Sequence, residues 1–164
     1  MGPKERQTSS DIARAQKQKY SWVYAVYWAK YNETGTLVAS GGQHSPVIIW
    51  DMKNGNILKN IQNKSEVTYC VEWSKDGKYL CTTEMDGTLN IYDAKTFELL
   101  STAPGDQPSE SRAYGCDLDF ANMPGRIFVA TEERHIKEFE FKNNILQLKH
   151  KYFAHFDAVK SLTV

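Results

Sequence analysis

Side chains that could perform catalysis or bind metal are few and widely spaced in this chain. Four histidines are present: His44, His135, His150 and His155. They do not combine with a C-x-x-C pair into a zinc-binding motif, so they indicate structural or surface roles. Two close acidic pairs are Glu132 with Glu133 and Asp117 with Asp119. Paired carboxylates can perform acid–base catalysis, but these pairs fit a turn and a strand better.

The sequence also lacks clear motifs for nucleophilic catalysis or cofactor binding. Residues 40–42 (Ser-Gly-Gly) look only superficially like a nucleophile loop, since the chain has no G-x-S-x-G motif and no phosphate-binding glycine loop. The cysteines Cys70, Cys81 and Cys116 are odd in number and form no C-x-x-C pair, which indicates a reduced intracellular protein. The sequence therefore predicts no catalytic residue, no metal and no cofactor.

The composition excludes several classes of protein. The 164 residues include 20 basic and 20 acidic side chains, and a net charge of zero disfavours binding to nucleic-acid phosphates. The hydrophobic fraction of 41% is enough to build a core. No run of about 18 apolar residues predicts a membrane span, and the N-terminus has no secretory signal. These features predict a cytoplasmic protein that binds neither membrane nor nucleic acid.

Internal repeats organise the chain. Residues 47–51 (VIIWD), 89–93 (LNIYD) and 136–140 (IKEFE) end alike, and their aromatic residues Trp50, Tyr92 and Phe139 are 42 and 47 positions apart. Upstream lie residues 22–28 (WVYAVYW), 67–73 (VTYCVEW) and 114–120 (YGCDLDF), whose starts are 45 and 47 positions apart. A fourth copy begins at Val159. A period near 45 is typical of propeller blades.

Each repeat predicts four antiparallel strands separated by turns such as Asp76-Gly77 and Asp86-Gly87. The expected fold is therefore all-β: an incomplete propeller with three four-stranded blades and the first strand of a fourth. The predicted blades cover residues 20–63, 64–110 and 111–154, and the fourth starts in residues 155–164. Residues 1–19 form a polar, basic arm that is either a solvated tail or a short helix ordering on an acidic neighbouring surface.

The segment 80–93 resembles the second and third strands of the WD40-repeat family, and the resemblance covers about residues 20–164. In that family a hydrogen-bonded set of His, Ser or Thr, Asp and Trp fixes each blade. We call this set the blade lock. The resemblance implies partial locks here, because Tyr92 replaces Trp in the second repeat and Val129 occupies the hydroxyl position of the third. The candidate lock residues are Ser40, Trp50, Asp51, Thr82, Asp86, Tyr92, Asp93 and His155.

The aromatic residues near the start of the chain allow two interpretations. They are Tyr20, Trp22, Tyr24, Tyr27, Trp28 and Tyr31. They could simply alternate in a first strand packed between blades, or they could form an aromatic cage for methyl-lysine or a peptide side chain.

The resemblance implies a non-catalytic scaffold that binds proteins or peptides in a larger intracellular assembly. The rim positions of similar proteins correspond to Gln43, Met85, Glu132, Ser21, Glu66 and Ala113. Missing blades would come from a longer product, another subunit or self-association. The alternative is a fragment of an enzymatic propeller, such as a metal-dependent hydrolase or a peptidase. Residues 124–131 and 153–159 are similar to cilia- and flagella-associated WD-repeat proteins, which suggests a ciliary or cytoskeletal setting.

Overall fold

The computed structural model describes residues 25–62, 64–105, 113–119, 125–131, 134–153 and 156–157. These residues form strands β1 (Val26–Tyr31), β2 (Leu37–Gly42), β3 (Val47–Asp51), β4 (Ile57–Ile61), β5 (Thr68–Trp73), β6 (Tyr79–Glu84), β7 (Leu89–Asp93), β8 (Leu99–Ala103), β9 (Ala113–Asp119), β10 (Arg126–Thr131), β11 (His135–Lys142) and β12 (Ile145–Phe153).

The strands form antiparallel four-stranded sheets in simple sequential order. Blade 1 contains β1–β4, blade 2 contains β5–β8 and blade 3 contains β9–β12. This arrangement confirms the predicted all-β propeller fold. The predicted basic arm (residues 1–19) lies outside the described residues, as does the predicted start of a fourth blade (residues 155–164) except for residues 156–157.

Apolar side chains pack between neighbouring blades and form the core. Between blades 1 and 2, Val47 and Ile49 pack with Val71 and Leu80, all fully buried. Between blades 2 and 3 a second cluster forms around the buried residues Leu89, Ile91, Ile127, Val129 and Phe141. Blade 2 is therefore covered on both faces, and its strands β6 and β7 are almost entirely buried.

Backbone pairing corrects the alignment of the first strands. Trp50 pairs with Val38 and Tyr92 pairs with Leu80, so Val38 and Leu80 are equivalent. In the pairing of each second strand with its first strand, Val38 pairs with Tyr31 and Leu80 pairs with Trp73. The sequence alignment of Trp28 with Trp73 was therefore wrong, because the equivalent of Trp73 is Tyr31.

The third repeat needs the same kind of correction. Phe139 pairs with Ile127, and Ile127 pairs with Leu118, so Leu118 rather than Phe120 corresponds to Trp73. The run of aromatic residues before Tyr31 allowed more than one alignment, and the backbone hydrogen bonds select a single one. Ala113, predicted to lead into its strand, is the first residue of β9 and pairs with Thr131.

The corrected alignment places a tyrosine at the same bulge in each innermost strand. Pairing skips Tyr27 between Val26 and Trp28, and it skips Tyr69 between Thr68 and Cys70. In β9 it skips Tyr114 in the same way. A bulge inserts one unpaired residue and changes the direction of its side chain relative to the regular strand.

Candidate functional site

Three loops meet at one end of blades 1 and 2, and we call residues 43–46, 64–67 and 84–88 the rim. Gln43 forms a β-bridge with Val67, and the Met85 N–H donates to the Val67 carbonyl at 2.8 Å. The His44 N–H donates to the carbonyl of Glu66. The structure thus brings together Gln43, Glu66 and Met85 from two blades.

The rim exposes some side chains and holds others between its loops. The Glu66 side chain is 77% exposed, and its Oε2 lies 3.8 Å from Nδ1 of His44. Gln43 and Met85 are half-buried. The other predicted rim positions, Ser21 and Glu132, lie outside the described residues.

Blade 1 contains part of the expected blade lock. The Trp50 indole N–H donates to the Ser40 hydroxyl at 2.9 Å, between neighbouring strands β3 and β2. Asp51 does not join this pair. Its Oδ1 accepts from the Lys53 N–H at 2.8 Å and its Oδ2 from the Asn54 side chain at 2.9 Å, so it closes the β3–β4 turn.

Removing the Ser40 hydroxyl should weaken blade 1 measurably. We expect Ser40→Ala to lower the free energy of unfolding by about 1 kcal/mol, because the half-buried Trp50 N–H loses its acceptor. Urea unfolding of the full chain measures this change. Thr34→Ala, which removes an exposed hydroxyl from a turn, is the matched control. An equal loss in the two variants would contradict a stabilising role for the Ser40–Trp50 bond.

Blade 2 does not repeat the pair found in blade 1. Burial, followed by the nearby charge of Glu84, raises the pKa of the Tyr92 phenol to about 12. The Thr82 hydroxyl lies near this phenol and opposes the shift, yet the Thr82 oxygen has no hydrogen-bond partner within normal distance. Asp86 and Asp93 close turns: Asp86 accepts from the Thr88 N–H and Asp93 from the N–H groups of Lys95 and Thr96.

A buried polar network, absent from the sequence prediction, connects blade 2 instead. Glu84 is 1% exposed; its Oε1 accepts from the Asn90 side chain at 2.7 Å, and its Oε2 accepts from the Ser65 N–H at 2.9 Å. Asn90 Oδ1 accepts from the Thr102 hydroxyl at 2.8 Å. Burial raises the pKa of the Glu84 carboxyl, and the two donors oppose that shift. Glu84 therefore links strands β6, β7 and β8 to the rim.

A signal for this network exists in the sequence. Glu84 and Asn90 occupy the positions that Gly42 and Ile48 hold in blade 1, since Gly42 pairs with Val26 and Glu84 with Thr68, while Ile48 pairs with Ser40 and Asn90 with Thr82. Two polar residues at such interior positions indicate that they satisfy each other.

Blade 3 is fixed by other contacts. Val129 and Phe139 are buried apolar residues, and no polar pair joins them. The Thr131 hydroxyl donates to the His135 carbonyl at 2.8 Å. Arg126 lies 2.9 Å from the nearly buried Glu138, which also accepts from Tyr152. His155, the predicted loop histidine, lies outside the described residues.

The described residues contain neither a cluster suited to metal binding nor a membrane-spanning helix. Within the described ranges, no group of three His, Cys, Asp or Glu side chains is arranged to hold a metal ion. No helix in the described part of the chain is long and apolar enough to cross a bilayer.

A comparison with protein families identifies the chain. Residues 5–137 match the family model described as eukaryotic translation initiation factor eIF2A. The chain belongs to the eIF2A family. This match includes blades 1 and 2, strands β9 and β10 of blade 3 and the start of β11.

Curated relatives of this eIF2A-family chain are WD-repeat proteins. It is 31% identical over 101 residues to eukaryotic translation initiation factor 3 subunit I of Neurospora crassa, covering 60% of this chain and 28% of the relative. It is 31% identical over 65 residues to the WD repeat-containing protein SL1-17 of Schistosoma mansoni, covering 40% of this chain and 22% of the relative. The chain thus spans about a quarter of each. These relatives confirm the predicted WD-repeat resemblance.

Solved propellers share the fold of this eIF2A-family chain. The RRP9 WD40 repeats superpose with a TM-score of 0.72 at 20% identity, covering 84% of this chain and 41% of that structure. A chain of the mitotic checkpoint complex superposes with a TM-score of 0.72 at 18% identity, covering 82% of this chain and 41% of that structure. At this level of identity the similarity shows the WD40 fold alone.

Proposed function

We propose that this eIF2A-family chain is a non-catalytic WD-repeat scaffold that binds protein partners through the rim, within a translation-initiation assembly in the cytoplasm. The observation that carries the proposal is the joining of rim loops from two blades around Val67. Remaining blades would come from a longer product, another subunit or self-association.

The rim suits protein binding because its backbone is held before a partner arrives. The bridge between Gln43 and Val67, the Met85 bond to Val67 and the Glu84 carboxylate beneath Ser65 all restrain the same loops. A restrained loop loses less conformational entropy on binding than a mobile one. Exposed Glu66 and half-buried Gln43 and Met85 then present charged, polar and thioether groups together.

The family match supports translation initiation as the setting, as does the similarity to initiation factor 3 subunit I. The descriptions of the relatives and structures named above do not mention cilia, so the ciliary or cytoskeletal setting stays a prediction from sequence. The alternative of an enzymatic propeller has no observation in its favour among the described residues.

Site-specific crosslinking tests the proposal. A photo-reactive amino acid at Gln43 or Glu66 is expected to capture components of initiation complexes, because both positions lie on the rim. The same amino acid at Lys53, an exposed position in the β3–β4 turn at the opposite end of blade 1, is the control. Mass spectrometry of the adducts identifies the partners. Equal capture at Lys53, or no adduct from either rim position, would reject the rim as the binding site.

A further inference from the structure

We propose that Tyr27 and Tyr69 form an aromatic surface that binds an arginine side chain presented by a protein partner. This inference rests on the proposed scaffold function and names the chemistry that the partner brings to the rim.

The two rings form one continuous surface across two blades. Their centroids are 5.7 Å apart and their planes differ by 24°, so the rings stack nearly parallel. Tyr27 is 44% exposed and Tyr69 is half-buried. Each lies at the bulge of an innermost strand. The register of the strand pairing shifts at each of these residues, and such a bulge changes the direction of a side chain relative to a regular strand.

The tyrosine pair adjoins the rim. The Gln43 N–H donates at 2.9 Å to the carbonyl of Ala25, two residues before Tyr27. Thr68, next to Tyr69, pairs with Glu84. The two tyrosines therefore lie at the same end of the blades as the rim loops. A partner that contacts the rim meets the aromatic surface as well.

Charge around this surface favours a cation. The accessible charges of rim residues 43–46, 64–67 and 84–88 are the carboxylates of Glu66 and Asp86 and the ammonium group of Lys64, whereas Glu84 is buried. Glu66 is the most accessible of these carboxylates, with a side chain 77% exposed. An aromatic face attracts a cation through its quadrupole, and nearby carboxylates strengthen that attraction.

Arginine fits this combination better than lysine. Its guanidinium is planar and weakly hydrated, so it can stack flat on a tyrosine ring while its edge donates to a carboxylate. Lysine carries a compact and strongly hydrated charge that cannot stack in this way. The near-parallel pair of rings offers a flat face rather than an enclosed cage.

The third innermost strand extends the pattern. β9 has Tyr114 at the bulge equivalent to those of Tyr27 and Tyr69. A tyrosine at one register position in three successive blades places this residue type repeatedly around the propeller axis. Tyr27 and Tyr69 occupy equivalent positions only when Tyr31, rather than Trp28, is aligned with Trp73.

Selection from a random-peptide library on the full chain tests the inference. We expect selected peptides to share an arginine at a fixed position, and Arg→Gln or Arg→Lys in the best peptide to weaken binding. Tyr27→Ala should raise the Kd about five- to tenfold, because a cation–π contact is lost. Tyr27→Phe keeps the ring and should leave binding nearly unchanged. Tyr31→Ala is the matched control, since Tyr31 is exposed at the far end of the same strand.

Thermal unfolding of each variant verifies that the fold is retained, and the Arg→Gln peptide tests the inference with the unaltered chain. A contrary outcome is that the selected peptides lack arginine, depend on Glu66 for binding and bind the Tyr27→Ala variant as well as the wild type. That result would overturn this inference but would not contradict the proposed scaffold function. Failure to select any peptide would also overturn it. Rim crosslinks to folded partners, measured separately, would then still support the proposed function.

Discussion

Replacing Glu84 with alanine is expected to lower the free energy of unfolding by about 3 kcal/mol. The substitution removes an acceptor for two donors, the Ser65 N–H and the Asn90 side chain. Asn90 is 94% buried, so water cannot easily replace the lost partner. The bond from Thr102 to Asn90 would weaken too, because the amide loses the carboxylate that orients it.

Two comparison variants sharpen this test. Glu84→Gln keeps the shape but places an amide N–H₂ against one of the donors, so its loss should lie between the wild type and Glu84→Ala. Glu98→Ala removes an exposed carboxylate from the same blade and should change stability little. Urea unfolding at neutral pH gives all three values. A loss for Glu84→Ala no larger than that for Glu98→Ala would refute the structural role of the network.

The same residue gives the stability a pH dependence of known sign. Because burial raises the pKa of Glu84 in the folded state, the folded chain holds this proton more tightly than the unfolded chain does. Stability should therefore fall as the pH rises from the usual value of 4.5 through the raised value. Glu84→Gln replaces the carboxyl with an amide that does not titrate. The difference in unfolding free energy between the wild type and Glu84→Gln should therefore change between pH 4.5 and the raised pKa. A constant difference would contradict the assignment.

Replacing Trp73 with alanine is expected to lower the free energy of unfolding by about 4 kcal/mol. Trp73 is 4% exposed and packs in the cluster between blades 1 and 2. Its indole N–H donates at 3.0 Å to the carbonyl of Lys30, in the neighbouring blade. The variant therefore creates a cavity and removes a hydrogen bond at the same contact between blades.

Trp50→Ala is the informative comparison for Trp73. Trp50 is only half-buried and its indole bonds within its own blade, so we expect a distinctly smaller loss. Trp73→Phe, which fills most of the space but cannot donate, should give an intermediate value. Denaturant unfolding of the full chain ranks the three variants. A larger loss for Trp50→Ala would show that the motif tryptophan contributes more than the contact between blades.

The period of the repeats predicted the fold class and the blades, because each third strand contains an aromatic residue followed by an acidic one. It could not align the innermost strands. Aromatic residues near Trp28 and Tyr31 satisfy two alignments equally well, and an inserted bulge residue is invisible in a simple alternation. Backbone pairing decides between them.

The candidate site was predicted only in part. Gln43, Glu66 and Met85 were expected from the resemblance, and the structure places them around Val67. Glu84 and Asn90 were missed because an acidic residue before Asp86 and Gly87 looks like part of a turn. Glu84 is buried because adjacent blades cover it, and a local sequence pattern carries no information about that cover.

The cover on both faces of blade 2 has a consequence for folding cooperativity. In an array of stacked units, an inner unit gains contact energy from two neighbours and an outer unit from one. Blade 2 therefore opens only at the expense of its interfaces with blade 1 and with blade 3. We therefore expect the amide hydrogens of strands β6 and β7, which are almost entirely buried, to exchange slowly, and the Glu84 network anchors the rim loops directly to these strands.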